Sequence, residues 1–93
     1  MTYLIPTTHV VTLDTLLSRP GLTRAEIAEL VEYSPKTVKK VLNLLRAQGL
    51  IETREGWRNF VTFEGKCEFG WVVRDAPEMF DLDRPEIQEV LEL

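Results

Sequence analysis

Residues 23–49 read TRAEIAELVEYSPKTVKKVLNLLRAQG, and the reading of this run decides the fold. Thr23 is followed three positions later by Glu26, the spacing at which each side chain satisfies the other residue's free backbone N–H at a helix start. Ile27, Leu30 and Val31, with Ala28 beside them, then make one apolar stripe, while Glu26, Glu29 and Glu32 fill the remaining surface. That pattern predicts a helix running to about Glu32. Tyr33-Ser34-Pro35 restarts the chain, because Ser34 suits a helix cap and Pro35 suits a first turn where no N–H donor is needed. Val38, Val41, Leu42 and Leu45 follow at i, i+3, i+4 and i+7, and Gly49 supplies the left-handed residue that commonly ends a helix. Two helices are thus predicted either side of a tight turn, the second over residues 35–48.

Downstream of Gly49 the period shortens. Leu50 to Arg54 and Trp57 to Phe63 are β-favouring runs separated by Glu55-Gly56, which predicts a hairpin. Phe69 to Arg74 is a candidate third strand, bounded by Gly65 and Gly70 on one side and Asp75-Ala76-Pro77 on the other. Asp83-Arg84-Pro85-Glu86 resembles a helix start, and Ile87, Val90 and Leu91 form an apolar stripe behind it. Upstream, Leu13, Leu16 and Leu17 predict a short helix over Thr12 to Ser18, ended by Arg19-Pro20-Gly21. Met1 to His9, with Tyr3-Leu4-Ile5 before Pro6, is an extended arm or a short edge strand. The organisation expected is an arm over 1–11, a helical core with its hairpin over 12–63, and an acidic extension over 64–93.

A chain of 93 residues with 44% apolar and 28% charged residues suits one soluble globular domain. No apolar run approaches the roughly 20 residues needed to cross a bilayer, and Met1-Thr2-Tyr3 starts no signal pattern, so no membrane association and a cytoplasmic location are expected. Cys67 is the only cysteine, which excludes an intrachain disulfide and a cysteine-based metal site and leaves it as a small filler. The net charge of −4 hides an uneven distribution. Residues 33–59 hold six basic residues against two acidic ones, a balance of +4, whereas residues 75–93 hold seven acids and Arg84, a balance of −6.

The positive balance has a face. At 100° per residue, Lys36, Lys40 and Asn43 lie opposite Val38, Val41, Leu42 and Leu45, flanked by Thr37 and Lys39. Lysine meets phosphates or a guanine edge, asparagine bonds adenine bidentately, and threonine reaches a phosphate or a thymine methyl. A basic helix taken alone is an ordinary solvated surface; its neighbours in the chain favour the nucleic-acid reading. Trp57 sits among Arg54, Glu55, Arg58 and Asn59, where it either presses on a sugar or packs against the domain. Arg54 and Arg58 either contact phosphates or pair with Glu52 and Glu55 as surface ion pairs.

The order of these elements, with Glu26-Ile27-Ala28, Ser34-Pro35-Lys36-Thr37-Val38, Leu42-Asn43-Leu44-Leu45 and Gly49-Leu50-Ile51-Glu52, resembles the winged helix-turn-helix superfamily of bacterial and archaeal transcriptional regulators. The resemblance covers a little over half the chain. It implies an α+β fold, a three-helix core with a β-hairpin wing, here extended by a C-terminal segment ending in a short helix. It further implies that the helix after the turn enters the major groove of double-stranded DNA and that the wing lies against the backbone or minor groove. Those roles would fall to Lys36 through Arg46 and to Arg54 through Asn59.

The expected function is therefore that of a DNA-binding transcriptional regulator, a repressor or accessory factor, working without a cofactor. Its expected contacts are Lys36, Thr37, Lys39, Lys40, Asn43 and Arg46 from the helix and Arg54, Arg58 and Asn59 from a basic wing. Enzyme chemistry finds no equipment: there is no Gly-rich phosphate loop and no nucleophile elbow, and the carboxylates after Asp75 lack an ordered metal-loop spacing. His9, the only histidine, reads as ordinary surface. The alternative function is a protein-interaction module whose working surface is the acidic C-terminal segment, with Trp71, Met79 and Phe80. The stripe Ile87, Val90 and Leu91 is too short a helix to persist unburied, and it packs on the first helix or, the favoured expectation, on a second chain to make a homodimer.

Overall fold

A computed structural model describes residues 6–93; the Tyr3-Leu4-Ile5 part of the expected arm lies outside them. Five α-helices and one hairpin follow in the order α1 (Thr7–Ser18), α2 (Arg24–Leu30), α3 (Pro35–Ala47), β1 (Ile51–Arg54), β2 (Arg58–Val61), α4 (Phe63–Asp75) and α5 (Pro85–Leu91), with a short 3-10 turn at Pro77–Met79.

The predicted pair of helices is present, held by the expected local chemistry. The Thr23 N–H donates to Glu26 Oε1 at 2.9 Å while Glu26 N–H donates to Thr23 Oγ1 at 3.3 Å, closing the reciprocal cap on α2. Ser34 Oγ accepts from the Thr37 N–H at 3.2 Å, and Pro35 occupies the first turn of α3. Gly49, with φ 76°, turns the chain out of α3 so that the Leu50 N–H reaches back to the Leu45 carbonyl at 2.9 Å. Leu50 and Ile51 then follow Leu45 into the core.

The hairpin pairs antiparallel from Ile51 opposite Val61 to Arg54 opposite Arg58. A third segment lies along it. Leu22 bridges to Asn59, and the Asn59 N–H donates to the Leu22 carbonyl at 3.0 Å while the Gly21 N–H donates to the Asn59 carbonyl at 2.9 Å. The loop between α1 and α2 therefore fixes the turn end of the hairpin to the helical core.

Three expectations are corrected. The first helix begins at Thr7, so residues 7–11 are helical and neither an arm nor an edge strand. Val10 and Val11 pack against the core, and Thr12 and Thr15 each turn their hydroxyl onto the carbonyl four residues back, at 2.8 Å. Burial thus holds a threonine-rich segment of modest helix propensity. The expected strand over 69–74 is instead part of α4. Thr62 caps it by accepting from the Gly65 N–H at 3.0 Å, and Gly65, Phe69, Val72 and Val73 share its buried face. The two glycines that looked like strand punctuation are close-approach positions. A Cβ on Gly65 would lie 2.1 Å from the Leu50 carbonyl oxygen, and one on Gly70 would lie 2.7 Å from that of Val90.

The third correction concerns the last helix. Ile87 and Val90 are fully buried within the chain, where α5 packs on α4. Arg84 at its start pairs with Asp14 of α1 at 2.8 Å and bonds Ser18, Lys66 of α4 pairs with Glu89 at 2.8 Å, and Arg74 donates to the Leu91 carbonyl at 2.7 Å. The stripe expected to cover a second chain is covered by this one. The core is continuous from Leu13 and Leu16 through Ile27, Val38 and Leu45 to Phe69, Ile87 and Val90.

Candidate nucleic-acid interface

The amphipathic pattern of α3 sets the interface. Burying Val38, Val41, Leu42 and Leu45 on α1, α2 and β1 turns Lys36, Lys39, Lys40, Asn43 and Arg46 outward. Lys36, Lys39 and Lys40 have no ion-pair or hydrogen-bond partner among the described residues, so their charges are open to an external anion. Thr37 is half-buried beside them and its Oγ1 accepts from Ser34 Oγ at 3.0 Å, which leaves it at the edge of the face.

A groove of about 570 Å³ runs between α3 and the hairpin. Thr23, Arg24 and Ala25 form its floor at the start of α2, Lys39, Leu42, Asn43 and Arg46 line one wall, and Thr53, Gly56, Trp57 and Asn59 line the other. Arg24, Lys39 and Arg46 bring three cations to this lining, which contains no carboxylate. Of the acids next to the lining in sequence, Glu52 pairs with Arg54, and Glu26 is committed to its cap, where the hydrogen bonds from Thr23 hold its carboxyl below the usual range.

One hydrogen-bonded chain fixes the two walls relative to each other. Arg46 donates from Nη1 to Asn43 Oδ1 at 3.1 Å and from Nε to Thr53 Oγ1 at 2.9 Å. Thr53 Oγ1 donates to Asn59 Oδ1 at 2.8 Å, and Asn59 Nδ2 donates to the Leu22 carbonyl at 3.0 Å and to the Trp57 carbonyl at 3.4 Å. Helix, hairpin and the loop before α2 move as one unit through these four side chains.

The hairpin differs from the expected basic wing. Asn59 is 2% exposed and acts as the buried end of the chain just described, so it is a scaffold residue and is withdrawn as a DNA contact. Arg54 pairs with Glu52 and lies 4.2 Å over the Phe60 ring, and Arg58 Nη1 donates to the Gly21 carbonyl at 3.0 Å. Both arginines remain exposed, yet residues 52–59 carry two acids and two bases and have no net charge. Trp57 is 81% exposed at the tip, so it does not pack on the domain. One groove residue, Arg24, is absent from the contacts expected from the sequence, and a second, Trp57, is there weighed between a sugar contact and packing. Arg24 reads in the sequence as helix-start chemistry alone, and the exposure of Trp57 removes its packing alternative.

His9 also departs from expectation: it is 7% exposed in the first turns of α1, and burial lowers its pKa. Cys67 is half-buried on α4. Among the described residues no helix is long and apolar enough to cross a membrane.

Comparison with known proteins agrees with this geometry. The model of a Crp-like helix-turn-helix domain family matches residues 9–63, more than half of the chain. No curated protein matches. Among solved structures, a MarR family protein of Mycobacterium tuberculosis superposes with a TM-score of 0.66 at 27% identity, covering 95% of this chain and 70% of that one. A structure of a MarR family protein from the same organism in complex with DNA gives 0.64 at 21% identity, over 95% of this chain and 75% of that one. MepR, a transcription regulator of the Staphylococcus aureus multidrug efflux pump MepA, gives 0.61 at 23% identity, over 96% and 66%.

Proposed function

The chain belongs to the Crp-like helix-turn-helix domain family, and from that premise we propose that it is a transcription regulator that binds double-stranded DNA with α3 in the major groove. The observation that carries this reading is the unpaired lysine face of α3, with Lys36, Lys39 and Lys40 all exposed on the side opposite the core. Base edges fall to Asn43, and phosphates to Lys36, Lys39, Lys40 and Arg24, with Thr37 at the margin. Arg46 acts mainly by holding Asn43 and Thr53 in place, and Arg54 and Arg58 add phosphate contacts from donors that their internal partners leave open. The acidic balance of residues 75–93 lowers non-specific attraction to DNA. Occupancy of a site by such a domain is enough for repression, needs no cofactor or catalysis, and places the chain in the cytoplasm with the DNA.

A second reading has its own observation. Met79 is 75% and Trp71 53% exposed in the acidic segment, a surface suited to a protein partner. One experiment separates the two. Phosphate contacts make the logarithm of affinity for duplex DNA fall linearly with the logarithm of salt concentration. The expected result is a steep fall in which replacing Lys39 and Lys40 together by alanine lowers the slope by about 2. Absence of duplex binding at low salt, or a slope that the double variant leaves unchanged, rejects the reading.

A further inference from the structure

We infer that Trp57 is a wedge that the wing inserts into the minor groove, against the bases of a deformable step. The inference rests on the DNA reading above and adds how the wing contributes to selectivity. Four observations on this chain support it.

First, Trp57 is the most exposed large apolar side chain among the described residues, at 81%, although nothing about a hairpin tip requires an indole there. Second, its backbone is in the left-handed region, φ 59°, and among the described residues it is the one non-glycine with positive φ. A bulky residue there carries a conformational penalty that asparagine or glycine would avoid. Third, the conformation is held from outside the turn. Asn59 Nδ2 bonds the Trp57 carbonyl, and Arg58 beside it is fastened to Gly21. The backbone that carries the indole is thereby held at the groove mouth. Fourth, the hairpin has no net charge over residues 52–59 and its two arginines are engaged by Glu52, Phe60 and Gly21, which weakens its phosphate attraction and favours an added apolar contact.

The geometry then orders the contacts. With α3 in the major groove, the cation-lined cleft between α3 and the hairpin is the channel for one phosphodiester strand. The far side of that strand is the minor groove, and Trp57 is the side chain standing over it. Apolar wedges in the minor groove part a base step and bend the duplex, and pyrimidine–purine steps such as TA part most readily. An arginine-tipped wing would favour the opposite substrate, the stiff A-tract whose narrow groove concentrates negative potential.

Two synthetic duplexes test this without knowledge of the natural site: poly(dA-dT), alternating and rich in TA steps, and poly(dA)·poly(dT), a continuous A-tract. The full chain carrying Trp71→Phe has Trp57 as its sole tryptophan. The expected result is quenching of its emission on poly(dA-dT), with about tenfold tighter binding there than on the A-tract. Stacking of one base on an aromatic ring accounts for a factor of that order. Trp57→Asn keeps a residue that tolerates the left-handed turn while removing the indole. It should abolish the preference and leave the salt slope unchanged. If Trp57→Asn binds both polymers as the unmodified chain does, or the emission is not quenched, the wedge is rejected while salt-dependent binding keeps the DNA reading intact. If the unmodified chain binds neither polymer at about 50 mM salt, the DNA reading fails and the wedge with it.

Discussion

The side chain of Asn59, on the second strand of the hairpin, donates to the carbonyl of Leu22 at 3.0 Å, across 37 residues of sequence. That bond and the backbone N–H of Asn59 converge on the same oxygen, so the wing is anchored at a buried point rather than hinged at its base. Replacing Asn59 by alanine removes the acceptor of the Thr53 hydroxyl, which keeps only its bond from Arg46, removes the side-chain donor to the Leu22 and Trp57 carbonyls, and opens a small void. The expected loss is about 1–3 kcal/mol of folding stability. Urea melts read it directly. Amide exchange should quicken in β1 and β2 more than in α4, and uniform exchange across both would show that the anchor is not local to the wing.

Lys40 and Asn43 share the exposed face of α3 but differ in surroundings. Lys40 is unpaired among the described residues, whereas Asn43 Oδ1 accepts from Arg46 and is oriented by it. Lys40→Ala should therefore weaken duplex binding by a similar factor for all sequences. Asn43→Ala should flatten base preference at one position, worth about 1–3 kcal/mol between the preferred base and the others. Selection from a randomised duplex pool with each variant checks this, and an unchanged preference for Asn43→Ala would move base reading to another residue.

Gly65 lies where the first turn of α4 crosses the backbone of the β1 entry. A methyl group there meets the Leu50 carbonyl at 2.1 Å and Val61 Cγ1 at 2.7 Å, and the carbonyl, being backbone, cannot withdraw without moving the entry to the hairpin. Gly65→Ala, normally favourable in a helix, should instead destabilise by about 1–3 kcal/mol or more, the range for forced overpacking. Thermal unfolding measures the sign, and a stabilised variant would contradict the close packing.

His9 supplies a pH dependence whose sign follows from burial. Its pKa in the folded chain is lowered from 6.5, so the unfolded chain takes up the proton more readily. The stability it permits is present above pH 6.5 and is lost as pH falls through that value and then through the lowered one. His9→Gln removes this linkage. Melts of both proteins against pH should converge in shape above neutrality and diverge below it, with the unmodified chain falling faster; parallel curves would show that His9 does not titrate with folding.

The parts of this fold legible in the sequence are those whose chemistry is local. The cap at Thr23 and Glu26, the restart at Ser34-Pro35 and the stop at Gly49 are satisfied within a turn or two, and the lysine face of α3 follows from them by periodicity alone. What the sequence concealed depends on distant backbone. Gly65 and Gly70 read as breakers because the carbonyls they admit belong to Leu50 and Val90, and α4 was mistaken for a strand in consequence. Asn59 sat in a polar run and looked exposed, yet its partners are Leu22 and Thr53. Trp57 could not be placed because packing and exposure are decided by the direction of the turn, which positive φ sets.

The C-terminal helix allows the sharpest contrast between expectations. A stripe left for a second chain would permit truncation after Asp83 with a folded monomer as the product. In the structure Ile87 and Val90 are fully buried against α4, close to Phe69 and Val73 in one continuous core. Removing a buried isoleucine side chain costs about 2–5 kcal/mol, and a domain of this size has about 5–15 kcal/mol in all. Truncation removes both residues together with the Glu89 partner of Lys66, the carbonyl bonded by Arg74, and the helix that meets Gly70. The truncated chain should therefore lose its cooperative transition and expose the apolar face of α4. Ile87→Ala, a milder change, should remain folded with a clearly lowered midpoint. Circular dichroism melts of the two variants decide the matter, because a truncated chain with the full-length midpoint would show that α5 contributes nothing to its own fold.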